Sequence, residues 1–358
     1  FYLPNMSNAA DTAALARALL QAPARQLALL PMGTASIRKV LDRKVAAEGA
    51  RATATLYFLS GIGLRPQPIW LDDSGALFAS GGTWLAVVRK GFEPALKDLI
   101  IAQENALGAE ARERARTIRR KPSGPVVIRN AKVFDAEQRV LRPGFAVRLH
   151  GERIEAVGPD STINTRGAEI IDAAGKVLLP GMWDMHVHVL SQDEGVTALL
   201  AGLTTVRDLG HDPTTLTRIT QQFDDGTLPG PRVIRAGLID GRGQFAVPTG
   251  SIVGTVDEMR AAVNAYADRG YRQVKLYASL SPELMHAGIA AARARGLRVS
   301  GHVPAGLSAR DAVLAGYDEL QHANYLFLNF MGPEVLAQTQ TPLRFSAVYE
   351  HAHELDLG

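Results

Sequence analysis

From Lys176 onward the chain repeats one pattern: a short apolar run, a helix-forming stretch, then a glycine. The apolar runs fall at Val177 to Val189, Thr204 to Leu209, Arg232 to Ile239, Gln273 to Tyr277, Leu297 to Val303 and Glu319 to Leu326. Gly202, Gly226, Gly270, Gly296 and Gly316 close most of the helical stretches, where a left-handed residue is needed to end a helix. Strands that alternate with helices pair in parallel, because each crossover returns the chain to the same end of the sheet. The expectation is an α/β fold built on a TIM-like (β/α)8 barrel. A complete barrel takes about 250 residues, roughly 31 per strand-helix unit. Six units bring the chain to Leu326 and leave 32 residues, so the barrel is expected to be incomplete, with about six strands present. The first residue is Phe1, and truncation is expected at both ends.

The stretches before the barrel read differently. Residues 1–92 are expected to form an N-terminal α+β domain. It holds a helix over Asp11 to Leu20 and strand-like runs at Gln26 to Leu30, Ala52 to Leu59, Pro68 to Leu71 and Trp84 to Arg89. Asp72-Asp73-Ser74-Gly75 reads as a hairpin turn between Trp70 and Phe78. The role of this domain stays open, and one reading makes it a partner-docking module. Residues 93–124 form a helical linker with Leu96, Ile100, Leu107 and Ala111 near one face. Residues 125–179 alternate in short strands, with a tight turn at His150-Gly151, as a small antiparallel sheet. Residues 180–358 are the incomplete barrel.

Composition removes several function classes. The chain has no cysteine, which excludes disulfides and thiolate zinc sites. A net charge of +3 over 358 residues gives no nucleic-acid face. The basic run Arg112 to Lys121 includes Glu113 and reads as a solvated helix face. No apolar run reaches the roughly 18 residues that a membrane span requires.

The residues that carry chemistry sit at strand ends. In Asp184-Met185-His186-Val187-His188, residues two apart in a strand point to one side, so His186 and His188 present two imidazoles to one point. The C-terminal end of a parallel barrel is where active sites lie. Lys275 sits inside the apolar run Gln273 to Tyr277, where an ammonium is costly unless it is paired or chemically changed. It lies 87 residues after His188, nearly three units, which places it on strand four. His302 and His322 stand at the ends of strands five and six. Each histidine alone is more often a rim or core residue than a ligand; four ligand-type side chains at one end of strands one, four, five and six argue for a metal site. The loop Gly241 to Thr255, with Arg242, Phe245 and Pro248, follows strand three at the same end and is a candidate pocket wall. Tyr277 and Tyr325 point to this region, as substrate contacts or as packing.

The run from about Val126 to Leu326 resembles the amidohydrolase superfamily, and within it the imidazolonepropionase-like and prolidase-like branch. The matching pieces are Asn130 to Asp135, Gly175 to Gly181, Asp184 to His188, Gly202 to Asp208, and the segments around Lys275, His302 and His322. The resemblance implies a small β-sandwich, with 125–179 as its first part, beside the barrel. It implies two divalent metal ions, expected to be zinc. His186 and His188 would bind the more buried ion, and His302 and His322 the more exposed one. Lys275, carboxylated by CO₂, would bridge the two ions as a carbamate, and Lys275, His302 and His322 count as catalytic. The expected reaction is hydrolysis of a C–N bond in an amide, a dipeptide or a cyclic amide by a metal-activated hydroxide. The resemblance also calls for a strand-eight aspartate. Asp356 falls too early for it, inside a helical stretch whose His351 and His353 read as solvent-facing, so that aspartate is expected beyond Gly358. The partner is a small-molecule amide or dipeptide; homo-oligomerisation stays open, and the resemblance leans toward a periplasmic or secreted enzyme. The competing reading is a truncated, inactive fragment that acts at most in binding or assembly.

Overall fold

The computed structural model of the chain describes residues 8–47, 49–189, 191–247, 249–351 and 353. Helix α1 (Ala9–Gln21) begins at Asn8, whose side chain accepts from the Ala10 and Asp11 N–H groups. It packs Ala13, Leu15, Ala16 and Leu19 onto an antiparallel sheet. The sheet runs in chain order through β1 (Gln26–Ala28), β2 (Thr34–Ala47), β3 (Ala50–Ser60), β4 (Gln67–Leu71), β5 (Leu77–Gly81) and β6 (Ala86–Val88). The expected turn at 72–75 joins β4 to β5, with the Gly75 N–H donating to the Asp72 carbonyl. The longest of these strands, β2, was not expected. Its Arg38-Lys39 and Asp42-Arg43-Lys44 interrupt any apolar alternation, because most of it faces water.

Helix α2 (Leu96–Ile118) follows a single 3-10 turn. Its buried face is Leu99, Ala102, Gln103, Leu107, Gly108, Ala111 and Ala115, which is rotated from the expected face. Leu99 replaces Ile100, because the helix packs both against the first sheet and, further along, against the barrel.

Residues 126–178 form a second sheet of β7 (Val126–Asp135), β8 (Val140–His150), β9 (Arg153–Pro159), β10 (Glu169–Asp172) and β11 (Val177–Leu178). The sheet is mixed and not purely antiparallel as expected. β7, β8 and β9 form a meander with the two-residue turn at Gly151, while β10 and β11 both lie parallel to β7. The chain leaves β9 through the turn Asp160 to Thr162, which Arg129 of β7 grips through Asp160 at 3.1 Å, and so returns on the far side of β7.

The expected run Val177 to Val189 is divided by Pro180-Gly181. Its first part is β11; its second is β12 (Met182–Val187), which opens a different sheet. That sheet has β12, β13 (Leu203–Asp208), β14 (Arg232–Gly241), β16 (Gln273–Leu276), β17 (Arg298–Gly301) and β18 (Glu319–Leu320) in parallel order, with β15 (Ser251–Val253) paired to the end of β14. Helices α3 (Glu194–Leu200), α4 (Pro213–Asp224), α5 (Val256–Asp268), α6 (Pro282–Ala294) and α7 (Ala309–Ala315) alternate with these strands. The largest core joins β14, β16 and β17 to α5 and α6 through Ile239, Met259, Val263, Val274, Leu276, Met285, Ile289 and Val299. Strand six is shorter than expected, because His322 adopts φ +66° and the chain turns into α8 (Asn324–Phe327). Short α9 (Pro333–Leu336) and α10 (Leu343–His351) follow. The sheet curls into part of a TIM-like barrel with β12 and β18 as its edges. No helix among the described residues is long and apolar enough to cross a membrane.

Candidate metal centre

The curl brings the C-terminal ends of the strands together, and with them the expected side chains. The His186 ring, on β12, stands 5.6 Å from His188 and 4.8 Å from His322, centroid to centroid. His322 is in turn 4.9 Å from His302. Ring contact between His186 and His322 therefore spans strands one and six, which lie at opposite edges of the sheet. His322 holds this place from a left-handed backbone, a conformation that non-glycine residues occupy mainly where surrounding structure imposes it.

Lys275 is fully buried, and its Nζ has no hydrogen-bond partner. Burial, with a further push from Arg207 against the pull of Asp208, lowers its amine to about 8. Both ring nitrogens of His302 are likewise buried without partners. Burial, then the Lys275 charge, lowers His186 and His322 to about 4 and His302 well below its ordinary value. The cluster is therefore a set of neutral imidazoles around an amine that water does not reach. His188 Nδ1 donates to the Gly210 carbonyl at 2.7 Å, which leaves its Nε2 lone pair free. That backbone bond is the tautomer-fixing contact typical of metal-bound imidazole.

These donors fit a divalent metal in kind. Neutral imidazole is a preferred ligand for zinc, and orphaned buried nitrogens are what such an ion would satisfy. They are gathered but not closed: no three His, Asp or Glu side chains among the described residues already converge on one ion position. A carboxylated Lys275 would add the anionic oxygens that imidazoles alone cannot supply.

Other expected residues divide by place. Tyr277 stacks on His302 at 3.8 Å, and Tyr325, fully buried, lies 5.2 Å from the same ring. Arg242 pairs instead with Glu258 of α5 at 2.6 Å on an exposed face. Phe245 is half exposed, and Pro248 lies outside the described residues, as does Asp356. His353 is exposed.

Four residues were not anticipated. Asp208, fully buried, accepts from the Val189 N–H at 2.7 Å and the Gly210 N–H at 2.9 Å, and so fixes the two backbone segments that hold His188. Asp240 does similar work at the end of β14, accepting from the Gly241, Val247 and Ser279 N–H groups. His211, three residues past Asp208, is buried with its Nε2 unpartnered; its position at a strand end was the available signal. Trp84, from the turn before β6, tilts against His188 at 4.9 Å. Nothing in the local sequence announces that contact, since it joins segments about a hundred residues apart.

Comparison with known proteins bears on the fold and the family. An imidazolonepropionase from Anaeromyxobacter dehalogenans is 35% identical over 82 residues, which are 21% of this chain and 20% of that enzyme. An adenine deaminase from a Chelativorans species is 28% identical over 202 residues, 50% of this chain and 32% of the relative. Bottromycin amidohydrolase shares the fold with a TM-score of 0.52 at 22% identity, covering 68% of this chain and 51% of that one. No family model matches the chain. These similarities support membership of the amidohydrolase superfamily. The chain spans a fifth to a third of the length of those curated relatives.

Proposed function

We propose that this protein hydrolyses a C–N bond of a small amide, dipeptide or cyclic amide, in the manner of the imidazolonepropionase-like and prolidase-like branch. The observation that carries the reading is the gathering of His186, His188, His302 and His322 at the strand ends, within electrostatic reach of a buried Lys275 whose Nζ has no hydrogen-bond partner. His186 and His188 would hold one divalent ion, expected to be zinc, and His302 and His322 a second, with Lys275 carboxylated between them. Such ions supply Lewis acidity that makes water a nucleophile at neutral pH and polarises the scissile carbonyl. The chain's own residues do the rest. Asp208 fixes the Val189 and Gly210 amides, and the Gly210 carbonyl orients His188. Tyr277 covers one face of His302 and Tyr325 packs against the ring, so that water is excluded from its buried side. Burial holds both phenols protonated well past neutral pH, Tyr277 at about 12 and Tyr325 higher still, so each can donate a hydrogen bond but not act as a base.

The test is amine release from a panel of dipeptides, N-acylated amino acids and lactams, assayed after metal removal and after addition of zinc with bicarbonate. Turnover that appears only on zinc addition, and is absent in Lys275→Ala, is expected. Turnover unaffected by chelation would overturn the metal-dependent reading.

A further inference from the structure

Between the first sheet, helix α2 and the barrel mouth lies a cleft of about 410 Å³, a size that suits a small molecule. Its walls include Arg65, Thr83, Trp84, Gln103, Glu104 and Ser191. Trp84 is shared: it lines this cleft and leans on His188, so the cleft adjoins the histidine cluster. The walls are held in place. Trp70 Nε1 donates to Gln103 Oε1 at 3.2 Å, and Gln103 Nε2 donates to the Gly81 carbonyl at 2.9 Å. Arg114 of α2 pairs with Asp193, just past Ser191. A side chain at Gly108 would run into Gln192, which shows how closely α2 approaches the loop after β12.

The charges in this cleft are unequally committed. The Arg65 guanidinium pairs with Glu194 at 3.3 Å and donates to the Ser191 hydroxyl. Glu104 makes no ion pair among the described residues, and the side chain bonded to it is the neutral Gln103 amide. Burial raises the Glu104 carboxyl above its ordinary range, against the opposing pull of Gln103, Arg65, Arg218 and His211. An entering cation would favour its ionised form. A carboxylate and an indole face in one sheltered cleft are the two groups that recognise an organic cation.

We propose that this cleft binds a positively charged organic group, an ammonium or guanidinium carried by the substrate, between Glu104 and Trp84. The inference rests on the hydrolase reading for its role, but its test does not use turnover. The whole 358-residue chain is titrated with n-butylguanidinium, with uncharged N-butylurea of the same shape, and with butyrate, reading tryptophan fluorescence. Trp84→Phe identifies the reporting indole among the three tryptophans. Saturable binding of butylguanidinium, at least about tenfold tighter than butylurea and weakened about tenfold or more in Glu104→Gln, is expected. Equal affinity for butylurea, preference for butyrate, or no saturable response in the folded wild type would overturn the proposal. The wild-type comparison of charged and uncharged probes stands even if Glu104→Gln does not fold. Cation binding without hydrolysis would leave the cleft standing and remove the enzymatic reading. Hydrolysis without cation preference would do the reverse.

Discussion

Lys275 is the residue whose burial is hardest to square with an ordinary ammonium. It is fully enclosed, its Nζ has no hydrogen-bond partner and stands 5.3 Å from the Tyr277 ring centre, and its charge depresses the pKa values of His186, His302 and His322. Incubation with zinc and ¹³C-bicarbonate should give a carbamate carbonyl signal that is absent in Lys275→Ala; its absence from metal-loaded wild type would reject the carboxylated lysine. A different residue, Asp72, contributes to stability in acid. Burial opposes ionisation of Asp72, but bonds from Ser74, Arg89 and the Ala76 and Ser74 N–H groups overcome it and pull the carboxyl from 3.8 to about 2. A carboxyl depressed by folding contributes stability above its unfolded value, and that contribution is lost as pH falls through the folded one. Asp72→Asn should cost about 1 kcal/mol near neutrality, allowing for solvent screening, and the gap should close as pH falls from about 4 to about 2. Urea unfolding across that range measures it, and a gap independent of pH would contradict it. At this scale the ligand-type residues were legible, because histidine and lysine at strand ends break an apolar pattern. Asp208 was not singled out for its hold on the His188 backbone, and Trp84 acts through a contact that only tertiary folding creates.

Among the elements, β16 and β17 set the spacing of the centre. Gly301, at φ +155°, lets β17 approach so closely that a Cβ there would stand 2.0 Å from the Leu276 carbonyl oxygen. The next residue, His302, donates its N–H to that same carbonyl at 2.9 Å. Gly301→Ala should therefore cost about 1–3 kcal/mol and move His302 away from Lys275, lowering metal uptake as well as stability. Denaturant unfolding and zinc titration read the two effects, and wild-type values for both would show that the close approach is not needed. The strand-helix rhythm was legible because each helix buries a regular stripe and ends on a glycine. What misled was the local pattern. β2 is long but mostly wet, the second sheet reverses direction through a crossover, and Pro180-Gly181 divides one apolar run between two sheets.

Across the whole molecule, one ion pair fastens distant strands. Arg207 of β13 reaches over the interior to Glu319 of β18, donating at 2.7 Å through one nitrogen and bonding again through the other, while its Nε donates to the Met185 carbonyl behind His186 at 2.8 Å. Arg207 is nearly buried, so removing it strands a partly buried carboxylate. Arg207→Met should cost about 2–4 kcal/mol. Arg295→Ala, which breaks an exposed pair with Asp268, should cost less than about 1 kcal/mol. Equal losses would mean that the chord does not carry the curl. The parallel, curled sheet follows from the sequence rhythm. The way α2 ties the first sheet to the barrel mouth does not, since it depends on side-chain pairs such as Arg114 with Asp193. The central claim, that these strand ends hold divalent metal, is tested most directly by metal content per folded chain after zinc loading, in wild type and in the His186→Ala, His188→Ala double variant. About two ions per chain are expected in the wild type, and their loss in the variant. Folded wild type that retains no metal, or a variant that retains as much, would contradict it.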